Sequence, residues 1–131
     1  MDELDAKILE ILKRDSRTKY VEIAKAIGLT EGAVRRRVKK MLEQGIIEKF
    51  TIETKSEVEA VILVKTDPTK TKEVATKIKE VSDRVFEASG DYDIAALVHA
   101  HTIEELNRKV DYIRGLPAVL NTNTLIKLVT D

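Results

Sequence analysis

The spacing of apolar residues changes once along this chain, near residue 46, and that change decides what it can fold into. Before it, apolar side chains recur at helical spacing in three short runs; after it, β-branched clusters alternate with two further helical runs. A chain of 131 residues divided this way holds two small domains, each near the lower limit for a self-sufficient hydrophobic core. Domains of that size tend to lean on a partner subunit.

In the first part, Leu4, Ile8, Ile11 and Leu12 form one apolar stripe, predicting a scaffold helix that ends near Arg14. Asp15 and Ser16 are turn formers. Val21, Ile23, Ala24 and Ile27 then mark a short helix that stops at Gly28, and Thr30 is a good N-cap for a third helix. In that third helix Val34, Val38, Met41 and Leu42 point inward, and Gly45 ends it. Residues 1–45 are therefore read as a helical domain.

Residues 46–56 contain Ile46, Ile47, Phe50 and Ile52 with Thr51 and Thr54, which favour extended chain, so a strand-like connector is expected there. Residues 57–131 follow as the second domain. A strand is predicted over 57–66, and Asp67-Pro68 suits the start of a helix that turns Val74, Ile78 and Val81 inward. A short strand over 85–89, the turn Gly90-Asp91-Tyr92-Asp93 and a strand over 94–100 make a hairpin. Thr102 and Glu105 match a capping box, opening a helix with Ile103, Leu106, Val110 and Ile113 inward that ends at Gly115 and Pro117. Residues 119–129 supply the last strand. The fold class is α+β: a three-helix helix-turn-helix domain, winged-helix-like, followed by a ferredoxin-like βαββαβ domain. Both helices of the second domain lie on one sheet face. The other, carrying Val61 and Leu63 or their alternates, is most economically buried by a second copy, so a homodimer is expected.

Composition narrows the chemistry. No cysteine is present, which removes disulfides, thiolate metal sites and thiol nucleophiles. Charged residues make up 35% of the chain, with no Trp and a single Gln, the pattern of proteins from hot environments. No apolar run approaches the ~18 residues that a membrane span needs, and the opening MDELDAKILE is acidic and amphipathic rather than signal-like. A cytoplasmic protein without a membrane partner is expected.

The formal net charge is zero, yet residues 1–50 carry 12 Lys and Arg against 9 Asp and Glu, and residues 51–131 carry 11 against 14. A basic half joined to an acidic half suggests two jobs, one facing a polyanion. Helices two and three, separated by Gly28, have the layout of a DNA-reading pair, with Ala24 small at their crossing and Leu29 and Val34 beneath. Arg35, Arg36, Arg37, Lys39 and Lys40 stand on the face left open. A helix fits the major groove, arginine pairs bidentately with guanine and lysine neutralises phosphate. The competing reading is a solubilising face. Such a face usually contains opposite charges four residues apart, and these are nearly absent here, so double-stranded DNA is the favoured partner.

Other chemistry has less support. His99 and His101 share a strand face, but no third ligand is evident nearby, so no metal is expected. No glycine-flanked serine elbow and no phosphate-binding glycine loop is present, so the chain is read as a non-enzyme without cofactors. A small enzyme on the ferredoxin-like fold is the alternative from another class. The GDYD turn reads first as a hairpin in which Gly90 permits an unusual backbone angle and Asp91 caps its own loop.

The run YVEIAKAIGLTEGAVRRRVKKMLEQGIIEKF resembles the DNA-binding segment of the Lrp/AsnC family of bacterial and archaeal transcription regulators. The opening LDAKILEILKRDSR is similar to that family's first helix and turn, ASGDYDI to the hairpin of its ligand-responsive domain, and VLNTNTLIKLV to its closing strand. The short connector most resembles archaeal members, including regulators of lysine biosynthesis. The resemblance implies a dimer formed through the C-terminal sheets, extended in some members to tetramers or octamers, that binds promoter DNA and responds to an amino acid or related metabolite. It places the recognition helix at Thr30 to Gln44, with Thr30, Glu31, Gly32, Arg35 and Arg36 nearest the bases. Arg37, Lys39 and Lys40 fall on the family's basic cluster and hold phosphates or neighbouring carboxylates. Three consecutive arginines depart from many members, so base preference does not transfer. The resemblance also makes Gly90, Asp91, Tyr92 and Asp93 the candidate effector site: backbone N–H groups for a carboxylate, Asp91 and Asp93 for an ammonium, with hydroxyls from Thr122 and Thr124. An effector-independent, architectural DNA-binding protein of the same fold is the alternative.

Overall fold

The computed structural model describes residues 1–128, and its contacts divide the chain into two compact units after Thr54. The first unit holds α1 (Glu3–Arg14), α2 (Tyr20–Ile27) and α3 (Glu31–Glu43). Their core is Ile8, Leu12, Ile23, Ala24, Val34, Val38 and Met41, with Leu29 and Ile47 packed at its edge. Two expected core positions are exposed: Val21 and Leu42, each 41%. Leu42 lies about 80° around α3 from Val34, beside the buried stripe rather than within it.

Each helix ends where its chemistry dictates. Asp2 caps α1 and shares a capping box with Asp5. Gly28, at φ +75°, ends α2 in the left-handed region that favours glycine. Gly45, also at φ +75°, ends α3 in a Schellman motif: the Ile46 N–H donates to the Met41 carbonyl and the Gly45 N–H to that of Leu42.

The connector over residues 46–56, expected to be strand-like, contains no paired strand. Phe50 and Ile52 are 47% and 75% exposed. β-propensity measures fit to a paired, half-buried surface, and among the described residues nothing pairs with this segment.

The second unit runs β1 (Val58–Thr66), α4 (Thr71–Ile78), a 3-10 turn (Lys79–Val81), β2 (Arg84–Glu87), β3 (Ile94–Ala100), α5 (Ile103–Arg114) and β4 (Val119–Ile126). The sheet is antiparallel, in the order β2-β3-β1-β4, as the ferredoxin-like reading requires. The last strand, expected to run to Val129, ends at Ile126: Lys127 and Leu128 are not in it, and Val129 lies outside the described residues. Pro68 does not start α4. It sits in a turn closed by Asp67, whose carboxylate accepts from the Thr69 N–H at 3.0 Å and hydroxyl at 2.9 Å, and α4 begins three residues later at Thr71. Thr102 caps α5 as expected, but the Glu105 carboxylate reaches past the cap to the His101 N–H, at 2.7 Å. Ile103, expected inward, is 48% exposed at the first turn.

Alternation along β1 sorts the faces. Ala60, Ile62 and Val64 pack with Ile94, Ala96, Val98 and Ala100 beneath Val74 and Ile78 of α4 and Leu106 and Ile113 of α5. Val61 and Leu63 lie on the opposite face, beside their partners Leu97, Ala95 and Leu125; Phe86, opposite Ala95, extends this apolar patch. Leu97, Phe86 and Leu125 keep 37%, 48% and 52% of their surface exposed.

A candidate DNA-reading face and a separate polar cleft

Thr30 fixes the start of α3 by accepting the Ala33 N–H at 3.1 Å. Burial of Val34, Val38 and Met41 then sets the rotation of the helix, because successive residues advance about 100° around its axis. The crown opposite the core carries Gly32, Arg36, Lys39 and Lys40, with the acidic Glu43. Arg36, Lys39 and Lys40 are exposed, and none has an ion-pair partner among the described residues. A Cβ on Gly32 would meet Nη1 of Arg36 at 3.4 Å, so the Arg36 guanidinium lies back along the helix surface over Gly32.

The three consecutive arginines therefore differ in role. Arg36 is on the crown, whereas its neighbours lie on opposite flanks and are held. Arg35 Nη2 is 2.7 Å from Oε1 of Glu31, and its guanidinium carbon lies 5.2 Å from the centre of the Tyr20 ring, within cation–π range. The pair Glu31–Arg35 is an opposite-charge pair four residues apart, of the kind the sequence reading took to be nearly absent. On the other flank Arg37 Nη1 is 2.7 Å from Oδ2 of Asp2 and 3.1 Å from Oδ1 of Asp5. The Arg37 bond holds the Asp2 carboxyl below its ordinary pKa, with the Asp5 N–H adding to the effect. Arg37 thus meets the second alternative given for it, neighbouring carboxylates. Asp2, Asp5, Arg36, Arg37 and Lys40 line one open cleft between the start of α1 and α3. The aspartates were missed in the sequence because they are 35 and 32 residues away from Arg37.

The candidate effector residues do not converge within one chain. Asp91 is exposed, at the tip of the β2–β3 turn, and Gly90 has φ +119°. Asp93 is already engaged: its Oδ2 accepts the Thr66 N–H at 2.8 Å, and its own N–H donates to the Val64 carbonyl at 2.9 Å. Thr66 is 1% exposed, so this carboxylate serves a backbone group that water cannot reach. Tyr92 is half-buried beside it. Thr122 and Thr124 pair across from Val64 and Ile62, which puts them on the helix-covered side of the sheet. There they line a polar cleft with Val110, Arg114 and Asn121, and none of residues 90–93 lines it.

The histidines are accounted for individually. His99 Nδ1 lies 2.6 Å from Oδ1 of Asp83, and His101 lies beyond the end of β3. No helix is long and apolar enough to cross a membrane among the described residues.

These features match known proteins in both units. Residues 1–42 match the AsnC-type helix-turn-helix domain, and residues 59–130 match the Lrp/AsnC ligand-binding domain. The HTH-type transcriptional regulator LysM of Sulfurisphaera tokodaii is 43% identical over 133 residues, covering 98% of this chain and 95% of that protein. The structure of E. coli AsnC superimposes with a TM-score of 0.75 at 27% identity, covering 99% of this chain and 93% of that one. At 21% identity, a feast or famine regulatory protein from M. tuberculosis complexed with L-methionine shares the fold, with a TM-score of 0.79 and coverage of 98% and 92%. The chain belongs to the Lrp/AsnC family of transcription regulators, with an N-terminal helix-turn-helix domain that binds DNA and a C-terminal ligand-binding domain.

Proposed function

We propose that this chain is a cytoplasmic, homodimeric regulator that reads promoter DNA through α3 and changes its binding when an α-amino acid or related metabolite occupies the C-terminal domain. DNA reading belongs to residues 1–45 and ligand sensing with oligomerisation to residues 57–131, joined by 46–56. The observation that carries the DNA reading is the crown of α3, where three exposed cations without ion-pair partners among the described residues stand on a helix whose rotation is fixed by its core. Gly32 and Arg36 face the bases from the crown, Thr30, Glu31 and Arg35 stand beside them at the leading end, where Arg35 must leave Glu31 to reach a base, Lys39 and Lys40 meet phosphate, and Arg37 holds carboxylates. Regulation rather than catalysis is the activity. The apolar face around Val61, Leu63, Leu97 and Leu125 supports dimerisation, since a patch of that kind is normally covered.

For the effector, Gly90, Asp91, Tyr92 and Asp93 supply one half of a site and Thr122 and Thr124 the other, brought together between subunits. Asp91 is the carboxylate left to receive an ammonium, because Asp93 serves Thr66. The L-methionine complex of the M. tuberculosis protein supports an amino acid as ligand. The separation of the two halves within one chain favours a second reading, in which binding to DNA is effector-independent. Footprinting of promoter DNA with and without each amino acid separates the two. Protection that one amino acid strengthens or abolishes, and that Asp91→Asn shifts to about ten- to a hundredfold higher ligand concentration, supports sensing; identical protection throughout supports the effector-independent protein.

A further inference from the structure

Arg37 is the basic residue of α3 that the DNA reading leaves without a role at the nucleic acid. Its Nη1 lies 2.8 and 2.7 Å from the two carboxylate oxygens of Asp2 and 3.1 Å from Oδ1 of Asp5. The same aspartates cap α1: the Asp5 N–H donates to Asp2 Oδ1 at 2.9 Å and the Asp2 N–H to Asp5 Oδ2 at 3.3 Å. One guanidinium therefore closes a capping box from outside its helix and fastens α3 to the start of α1. Of the trio, Asp5 is 16% and Arg37 29% exposed, while Asp2 is 57% exposed.

We propose that Arg37 is a positioning residue for the DNA-reading face rather than a contact to DNA, acting by neutralising Asp2 and Asp5 beside Arg36 and Lys40. The inference rests on the assignment of α3 as the reading helix. Its charge is already spent on two carboxylates, and it sits on the flank of the helix, about 100° from the crown residue Arg36. Arg36 and Lys40 line the same cleft as the two aspartates. Without Arg37, those carboxylates stand unneutralised beside Arg36 and Lys40, and their charge repels an approaching phosphate without removing a contact to it.

The test is fluorescence anisotropy with the full chain and a mixed-sequence DNA duplex, titrated over a range of salt. Arg37→Ala is expected to bind on the order of tenfold more weakly, with a slope of log affinity against log salt unchanged from wild type. Adding Asp2→Asn and Asp5→Asn to Arg37→Ala is expected to restore affinity to within about threefold of wild type, since the repelling charges are gone while asparagine still caps. A merely structural latch gives no such rescue, because the triple variant lacks the bridge as well. Lys40→Ala, in contrast, lowers the slope by about 0.9 for each recognition helix in contact. If Arg37→Ala lowers the slope as Lys40→Ala does, Arg37 is a phosphate contact, and if the triple variant stays weak, Arg37 is a structural latch; either result overturns the proposal. If Arg36→Ala and Lys40→Ala both bind as wild type, the assignment of α3 fails first and takes the proposal with it. Circular dichroism of each variant confirms folding, and the triple variant carries the test should Arg37→Ala alone not fold.

Discussion

Replacing Asp93 by alanine should destabilise the C-terminal domain more than any change at its neighbour Asp91, although both are carboxylates of one turn. The reason is the uneven length of two strands. β3 begins at Ile94, opposite Val64, while β1 continues to Thr66, so the Thr66 N–H has no strand partner. The Asp93 carboxylate takes that place at 2.8 Å. Thr66 is 1% exposed, so water does not replace the lost acceptor, and a buried donor deprived of a charged partner costs about 1.5–3 kcal/mol. For a domain this small the urea m-value is about 1–2 kcal/mol/M, which converts to a midpoint lowered by roughly 0.8–3 M. Asp93→Asn keeps a neutral acceptor and should cost about half as much. Asp91→Ala, on an exposed tip, should stay within about 0.5 kcal/mol of wild type. Urea unfolding followed by circular dichroism gives the midpoints, and hydrogen exchange at the Thr66 amide gives the local effect. Unchanged Thr66 protection in Asp93→Ala, or equal midpoints for the two alanine variants, would refute the reasoning.

Two further outcomes are expected. Gly45→Ala should destabilise by about 1 kcal/mol in thermal unfolding: a Cβ there meets nothing within 4 Å, so the cost is that of placing alanine at φ +75°. An effect within error would show that the α3 cap tolerates a side chain. Because the folded-state pKa of Asp2 is depressed below its ordinary 3.8, chiefly by Arg37, the tether's contribution is fully present above that ordinary value and is lost as pH falls through the depressed one. NMR titration of the Asp2 carboxyl should show its midpoint rising in Arg37→Ala; an unmoved midpoint would contradict the bond.

Much of the fold was legible because its punctuation is chemical. Gly28, Gly45 and Thr102 each mark an end that local geometry enforces, whereas residues 60–64 are apolar throughout, so the sequence left open which alternate set, Ala60, Ile62 and Val64 or Val61 and Leu63, faces the helices. Where the reading failed, the deciding partner lay elsewhere in space. Phe50 and Ile52 have the propensity for a strand and no strand to pair with. Pro68 has the φ for a helix start, but the Asx turn of Asp67 holds it three residues upstream. The site divides in the same way. Arg36, Lys39 and Lys40 follow from helical periodicity once the core stripe is known, whereas the restraint of Arg37 by Asp2 and Asp5, and of Asp93 by Thr66, joins residues 27 to 35 positions apart whose proximity exists only after folding.

The most direct test of α3 as the DNA-reading element is the salt dependence of duplex binding by a Lys39→Ala, Lys40→Ala double variant. Each lysine lost from a phosphate should reduce the slope of log affinity against log salt by about 0.9, so the double variant should lose roughly 1.8 for every recognition helix engaged, with affinity falling for specific and non-specific DNA alike. Wild-type affinity and wild-type slope in that variant would contradict the account.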